Sequence, residues 1–237
     1  MLLSSPVEAV LIDLDGTLLD TVPDLAPAAD AMLGDLGLPP IAASRVREFV
    51  GKGIPNLVRR CLAEAGAPPD AATAARALDA FRRHYAAVNG RHTTVYPGVI
   101  EGLDALRARG LALGCVTNKA EAFARPLLAM KGLAGYFAAL VCGDTLPQAK
   151  PDPAPLLYLC RLLGAAPAGT VHIGDSENDV RAARAAGIRV LLVPYGYGEG
   201  RDVHDLDCDA IVAGLEEAAR LIARIESHRD SGVSEPS

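Results

Sequence analysis

The run Val10-Leu11-Ile12-Asp13-Leu14-Asp15-Gly16-Thr17-Leu18-Leu19-Asp20 limits the possible fold more than any other stretch of the chain. An apolar segment that starts near Val7 ends in two carboxylates one residue apart, with Gly16 and Thr17 immediately after. The acids therefore stand where a buried strand gives way to a loop, which is where open α/β sheets place their ligands. Side chains alternate along an extended chain, so Asp13 and Asp15 are expected to point one way and Leu14 back into the protein. Two like charges that close raise each other's pKa unless a cation or a proton is shared between them. The pair thus points to a metal site or to an acid/base pair. Gly16 permits a tight turn, and Thr17 adds a hydroxyl beside backbone N–H groups able to face an anion.

After Asp20 the hydrophobic period becomes helical, and no strongly strand-like run returns until Leu111-Ala112-Leu113-Gly114-Cys115-Val116. Helices are expected over 23–36, 44–50, 54–65 and 70–88. Four in succession exceed what one crossover between parallel strands needs, so the insert reads as a small all-helical cap. Its hinges are expected near 20–23 and 89–97. From Pro97 onward strands and helices alternate as in a parallel sheet with right-handed crossovers. The expected organisation is an α/β core of 1–20 and 93–226, a cap of 21–92, and a polar tail of 227–237 that is expected to be disordered.

The later strands also end in chemistry-bearing residues: Thr117-Asn118, then Lys150-Pro151 in a loop, then Gly174-Asp175-Ser176-Glu177-Asn178-Asp179. All carboxyl ends of a parallel sheet lie on one edge, so these groups converge with Asp13 and Asp15. A phosphate ester needs its charge balanced before an anionic nucleophile approaches, and Mg²⁺ held by carboxylates together with a lysine would do this. Asp13, Asp15 and Asp175 are candidate metal ligands, Asp15 through its backbone carbonyl. Lys150 is the candidate ammonium and Thr117 a candidate phosphate-oxygen partner, with Asn118 beside it. Asp179, one helical turn after Asp175, is a candidate second ligand or outer acceptor. In the insert, Val50-Gly51-Lys52-Gly53 offers Lys52 as a substrate contact. His172, inside an apolar strand, reads as a buried hydrogen-bonded residue.

Composition narrows the partners. With 237 residues, 50% apolar and 22% charged, the chain can bury a sizeable core. The formal net charge of −6 and the lack of a long basic run argue against nucleic acid or an anionic membrane, but leave a small phosphorylated metabolite open. The five cysteines include no C-x-x-C pair and read as reduced core residues, which with the missing leader pattern gives a cytoplasmic expectation. A monomer and a homo-oligomer fit equally well.

DLDGT, the threonine of VTNK, Lys150 and GDSEND together resemble the motif set of the haloacid dehalogenase-like superfamily of phosphohydrolases, over nearly the whole chain. The resemblance implies a Rossmann-like core with an inserted cap. It implies Asp13 as the nucleophile forming an aspartyl-phosphate, Asp15 as acid and then base, and Thr117 and Lys150 on the phosphoryl group. It further implies Mg²⁺ on Asp13, Asp15 and Asp175. Dehalogenases of the superfamily lack an acid at the position of Asp15, so halide chemistry is not expected. Within the superfamily the flanking segments, among them FVGKGIPNLVRR, GCVTNKAEAFARPLL and CGDTLPQAKPDPAPL, are most similar to the bacterial phosphoglycolate phosphatases. That implies hydrolysis of 2-phosphoglycolate to glycolate and phosphate. Another small ester, such as a sugar phosphate, or a phosphomutase would share the strand-end groups. A phospho-accepting receiver module is opposed by Asp15, by GDSEND and by the large cap, and no G-x-G-x-x-G supports a dinucleotide site.

Overall fold

The computed structural model describes residues 6–66 and 70–230. The chain starts with β1 (Ala9–Ile12), every residue of which is buried, as expected of a strand covered on both faces. A two-residue strand β2 (Leu19–Asp20) leads into α1 (Val22–Asp35), α2 (Ala43–Phe49), α3 (Gly53–Glu64) and α4 (Ala71–Val88). The chain returns through β3 (Thr94–Val95), antiparallel to β2 with Leu19 opposite Val95. Periodicity does not reveal this small ribbon, because two residues carry no readable period. It closes the neck of the insert.

The remainder alternates: α5 (Val99–Ala108), β4 (Ala112–Val116), α6 (Glu121–Met130), β5 (Ala139–Val141), α7 (Ala154–Leu163), β6 (Thr170–Gly174), α8 (Glu177–Ala186), β7 (Arg189–Leu192), β8 (Ala210–Ile211) and α9 (Leu215–Asp230). The sheet has six strands in the order β5-β4-β1-β6-β7-β8, and all its pairings are parallel. β8 is hidden in the sequence for the same reason as β2 and β3. α9 continues past the expected end, because the polar residues after Ile225 include no Gly or Pro to stop a helix. The expected tail therefore begins inside a helix, and its residues 231–237 lie outside the described residues.

The pleat of β1 divides the core. Val10 and Ile12 join Leu103, Leu106, Leu215 and Ile222 on the face covered by α5 and α9. Leu11 joins Leu156, Leu159 and Val180 on the face covered by α7 and α8. The insert has a hydrophobic core of its own, built on Met32, Leu33, Phe49, Leu62, Phe81 and Tyr85 and completed by Phe123 and Tyr197 from the α/β part. Chain connections diverge on either side of β1, towards β4 and β5 one way and β6 to β8 the other. That divergence leaves a crevice beyond the carboxyl end of β1, facing the insert.

Candidate active site

The sheet register aligns the functional side chains. Asp13 leaves β1 with its N–H on the Ile173 carbonyl of β6 (2.9 Å), and Thr117 leaves β4 with its N–H on Val141 of β5 (2.9 Å). Lys150 comes from the loop after β5, and Asp175 directly follows β6. Thr117 and Asp13 line one cavity between the α/β core and the insert, whose opposite wall includes Leu25, Ile54 and Leu57.

Lys150 is the centre of the site. Its buried ammonium lies 2.8 Å from Asp13 Oδ1 and 2.7 Å from Asp179 Oδ1, and donates to the Val116 carbonyl at 3.0 Å. Burial alone would lower its pKa, but the two carboxylates hold it above the ordinary lysine range. Asp179 is saturated with donors. Its Oδ1 faces Lys150 and His172 Nε2 (2.8 Å), and its Oδ2 accepts from the Ser176 hydroxyl (2.6 Å) and Ser176 N–H (3.2 Å). The last contact belongs to a capping box at the start of α8, so the residue that caps the helix also anchors Lys150. Burial raises the Asp179 pKa, yet Lys150 and His172 outweigh it and pull the carboxyl below the usual carboxylate range. His172 has Nδ1 against the Leu11 carbonyl at 3.1 Å and is buried and hydrogen-bonded, as the sequence suggested.

Asp13 and Asp175 lack such compensation. Burial pushes Asp13 up to about 7, against the pull of Lys150 and with the push of Asp179. Burial, then Asp179 and Asp13, raise Asp175 well above its ordinary value, although the Tyr197 N–H donates to its Oδ2 at 2.5 Å. Asp175 is pressed between Gly16 and Gly196, and a Cβ on either glycine would collide with its side chain. One carboxylate oxygen from each of Asp13, Asp175 and Asp179 lies within 4.8 Å of the others. Three hard oxygen donors facing one ammonium leave a deficit of positive charge that a divalent cation fits. Both Asp179 oxygens are taken by protein donors, whereas the donors to Asp13 and Asp175 fall on one oxygen of each.

Asp15 stands apart from this cluster. Both acids of the pair line one cavity, as the sequence pattern suggests, but each has its own lysine. Lys119 Nζ lies 3.0 Å and 3.3 Å from the two Asp15 oxygens, and Thr21 donates to Oδ1 at 2.7 Å. The Asp15 carboxylate is thus not part of the Asp13–Asp175–Asp179 carboxylate cluster. Sequence reasoning misses Lys119. Its only signal is that VTNK ends in lysine, and a lysine near a strand end is usually solvated, whereas this side chain is 3% exposed. Asn118 is present but occupied: its amide donates to the carbonyls of Gly51 and Lys150, both at 2.8 Å, and accepts from Lys150 N–H at 2.9 Å. It fixes the lysine loop to the insert instead of facing the cavity with a free amide. The Thr17 hydroxyl is buried with no hydrogen-bond partner among the described residues.

Lys52 is not at the cavity. Its ammonium pairs with Glu199 Oε2 at 2.9 Å, and Lys52 is not among the residues lining the cavity. Glu199 also accepts from Asn178, and it holds a left-handed backbone at φ 53°. Burial, opposed by Lys52, raises its pKa. A Cβ on Gly51 would run into the Glu199 carboxylate, so Gly51 is needed for this close approach. The substrate contact expected of Lys52 is thus replaced by a clasp between insert and core. Other clasps lie at the neck. The Tyr197 hydroxyl accepts from Thr21 N–H (2.6 Å) and donates to Asp20 (3.0 Å), while buried Asp24 accepts from the N–H groups of Gly90, His92 and Thr93. Arg47 of α2 donates to the carbonyls of Tyr195 and Gly196.

A family model for haloacid dehalogenase-like hydrolases matches residues 7–187. The chain belongs to that family. As a haloacid dehalogenase-like hydrolase it is 52% identical over 220 residues to a phosphoglycolate phosphatase of Nitrosospira multiformis, covering 92% of this chain and 97% of that one. It is 51% identical over 219 residues to a plasmid-encoded phosphoglycolate phosphatase of Cupriavidus necator, with coverage of 92% and 94%. Among solved structures, that of a predicted phosphoglycolate phosphatase from Haemophilus somnus superposes with a TM-score of 0.87 at 31% identity, over 92% of this chain and 99% of the other. Among the described residues no helix is long and apolar enough to cross a membrane.

Proposed function

We propose that this hydrolase is a Mg²⁺-dependent phosphatase of the cytoplasm that cleaves 2-phosphoglycolate to glycolate and phosphate. The observation that carries the reaction type is the buried Lys150 ammonium joining Asp13 to Asp179 beside the uncompensated Asp175. The substrate rests on the full-length likeness to phosphoglycolate phosphatases.

In this reading Asp13 attacks phosphorus to form an aspartyl-phosphate, and Lys150 and Thr117 bind the phosphoryl oxygens. Asp15 gives its proton to the leaving alcohol oxygen and then takes one from the water that hydrolyses the intermediate. Thr21 and Lys119 hold the Asp15 carboxylate in place for both steps. Asp13, Asp175 and the backbone carbonyl of Asp15 would hold Mg²⁺, with Asp179 behind them. The metal, when bound, neutralises charge on the transferring phosphoryl group. The insert, as a cap over 21–92, shields the reaction from water, and its clasps release to admit substrate.

Phosphate release from 2-phosphoglycolate, sugar phosphates and an aryl phosphate, each with and without Mg²⁺, tests this. A preference for 2-phosphoglycolate that disappears without Mg²⁺ is expected. A preference for a sugar phosphate sinks the substrate, and turnover indifferent to divalent cation sinks the metal.

The raised pKa values of Asp13 and Asp175 give a second expectation. The native state binds these protons more tightly than the unfolded chain, so their stabilising effect is greatest near pH 4 and is lost as pH rises through about 7. Asp179, shifted the opposite way, changes only below that window. Metal-free protein should therefore lose thermal stability between pH 4 and about 7, and Mg²⁺ should raise the midpoint more at pH 8 than at pH 5. Thermal denaturation across that range, with and without Mg²⁺, checks the sign.

A further inference from the structure

We propose that Lys119 is the specificity-determining residue of this site, its ammonium receiving the carboxylate of the phosphorylated two-carbon acid. The inference rests on the phosphoglycolate reading and adds to it the group that recognises the acid end. Of the described residues lining the cavity, Lys119 alone has a cationic side chain. The facing wall of Leu25, Ile54 and Leu57 offers a carboxylate no side-chain partner. Lys119 is itself paired with Asp15, but Lys150, held by Asp13 and Asp179, Lys52, held by Glu199, and Arg47, held by two backbone carbonyls, are not among the cavity-lining residues.

The reach is right. Lys119 Nζ is 3.0 Å and 3.3 Å from the two oxygens of Asp15, the residue that in that reading meets the leaving ester oxygen. In 2-phosphoglycolate the carboxylate carbon is two bonds from that oxygen, so its oxygens lie roughly 3 Å away. An ester oxygen placed on Asp15 thus brings the carboxylate to the ammonium. The Tyr85 ring, 5.0 Å from Nζ, shields the ammonium from water on the side of α4, so a carboxylate there would be bound in a poorly solvated setting. A longer or uncharged alcohol would leave Lys119 without this partner, and selectivity would follow from that loss.

The test compares kcat/KM for 2-phosphoglycolate and for 2-hydroxyethyl phosphate, its uncharged counterpart of equal length, in the Mg²⁺-loaded full chain. Wild type is set against Lys119→Gln, which keeps a donor for Asp15 but no charge, Lys119→Met, which keeps neither, and Lys119→Arg. Both activities should fall, more in Met than in Gln, because Asp15 loses its ion pair and in Met is left with Thr21 as its side-chain donor. The ratio between substrates should also collapse by about 10–100-fold, the value of a charge-assisted contact, and recover in part in Lys119→Arg. Equal losses on both substrates overturn the inference, since a merely positioning lysine gives that result and leaves the carboxylate to the backbone at the start of α3. A wild type without preference for the acid overturns the phosphoglycolate reading as well, and is told apart because it requires no variant.

Discussion

Asp13→Asn should lose hydrolysis of every phosphate ester by at least about 10⁴-fold, the scale seen when a covalent nucleophile is removed. The substitution changes little else. The introduced amide keeps a carbonyl oxygen for the Lys150 ammonium, which lies 2.8 Å from Asp13 Oδ1, and Lys150 keeps Asp179. It removes one of two carboxyls that burial raises, Asp13 being pushed to about 7. The variant should therefore fold with a midpoint no lower than wild type in metal-free buffer at pH 8. Its stability should fall less steeply between pH 4 and about 7, and its response to Mg²⁺ should shrink because a ligand is gone. Residual activity above roughly one-tenth of wild type would remove Asp13 from the nucleophile role. A midpoint several degrees lower at pH 8 would show that Asp13 is net stabilising despite its burial.

The pH behaviour separates two carboxylates that look alike in the sequence. Asp175 and Asp179 sit one helical turn apart in the same motif, and the residue spacing alone supports both as metal ligands. What distinguishes them is the count of donors around each. Asp179 receives Lys150, His172 and both polar groups of Ser176, whereas Asp175 has the N–H groups of Tyr197 and Gly198 on a single oxygen. Ser176 belongs to the local capping box of α8, but the other donors come from β6 and two distant loops, which no local pattern reveals.

The same distinction explains what is legible elsewhere. Asp13, Thr117, Lys150 and Asp175 can be read together because a parallel sheet gathers its carboxyl ends on one edge, and the apolar runs before three of them mark the strands. Thr117 and Lys150 are individually weak signals, and the shared edge gives them meaning. The helices of the insert are legible from their period and from their end signals, such as Asp70, whose side chain caps the start of α4 through Thr73 N–H at 2.7 Å. Lys52 reads as a ligand because it stands between two glycines, but its partner, Glu199, lies more than a hundred residues away. Lys119 is the reverse case, a lysine without a distinguishing neighbour that becomes buried only when α4 lays Tyr85 over it. Pairings across the insert–core boundary depend on how two separately packed layers meet, and periodicity within either layer does not encode that.

Asp179→Ala carries the largest expected cost in stability. It deletes the acceptor of three polar side chains at once and leaves Lys150 and His172 buried with one fewer partner each. Breaking a buried pair from one side costs about 3–5 kcal/mol. At roughly 2–4 °C per kcal/mol for a chain of this size, the midpoint should drop by roughly 10 °C at pH 7. The sign with pH is opposite to that of Asp13: the folded-state pKa of Asp179 is depressed, so its contribution is present above the ordinary carboxylate value and lost as pH falls below about 4. The difference between wild type and variant should accordingly narrow in acid. Asp179→Asn should fall between the two, because an amide can accept from Lys150 but must turn a donor toward another donor at Ser176 or His172. If Asp179 anchors Lys150 and does not bind metal, the Asn variant should keep most of its thermal response to Mg²⁺ while kcat falls. Loss of that response to the extent seen in Asp13→Asn would instead make Asp179 a ligand, with its Lys150 contact secondary.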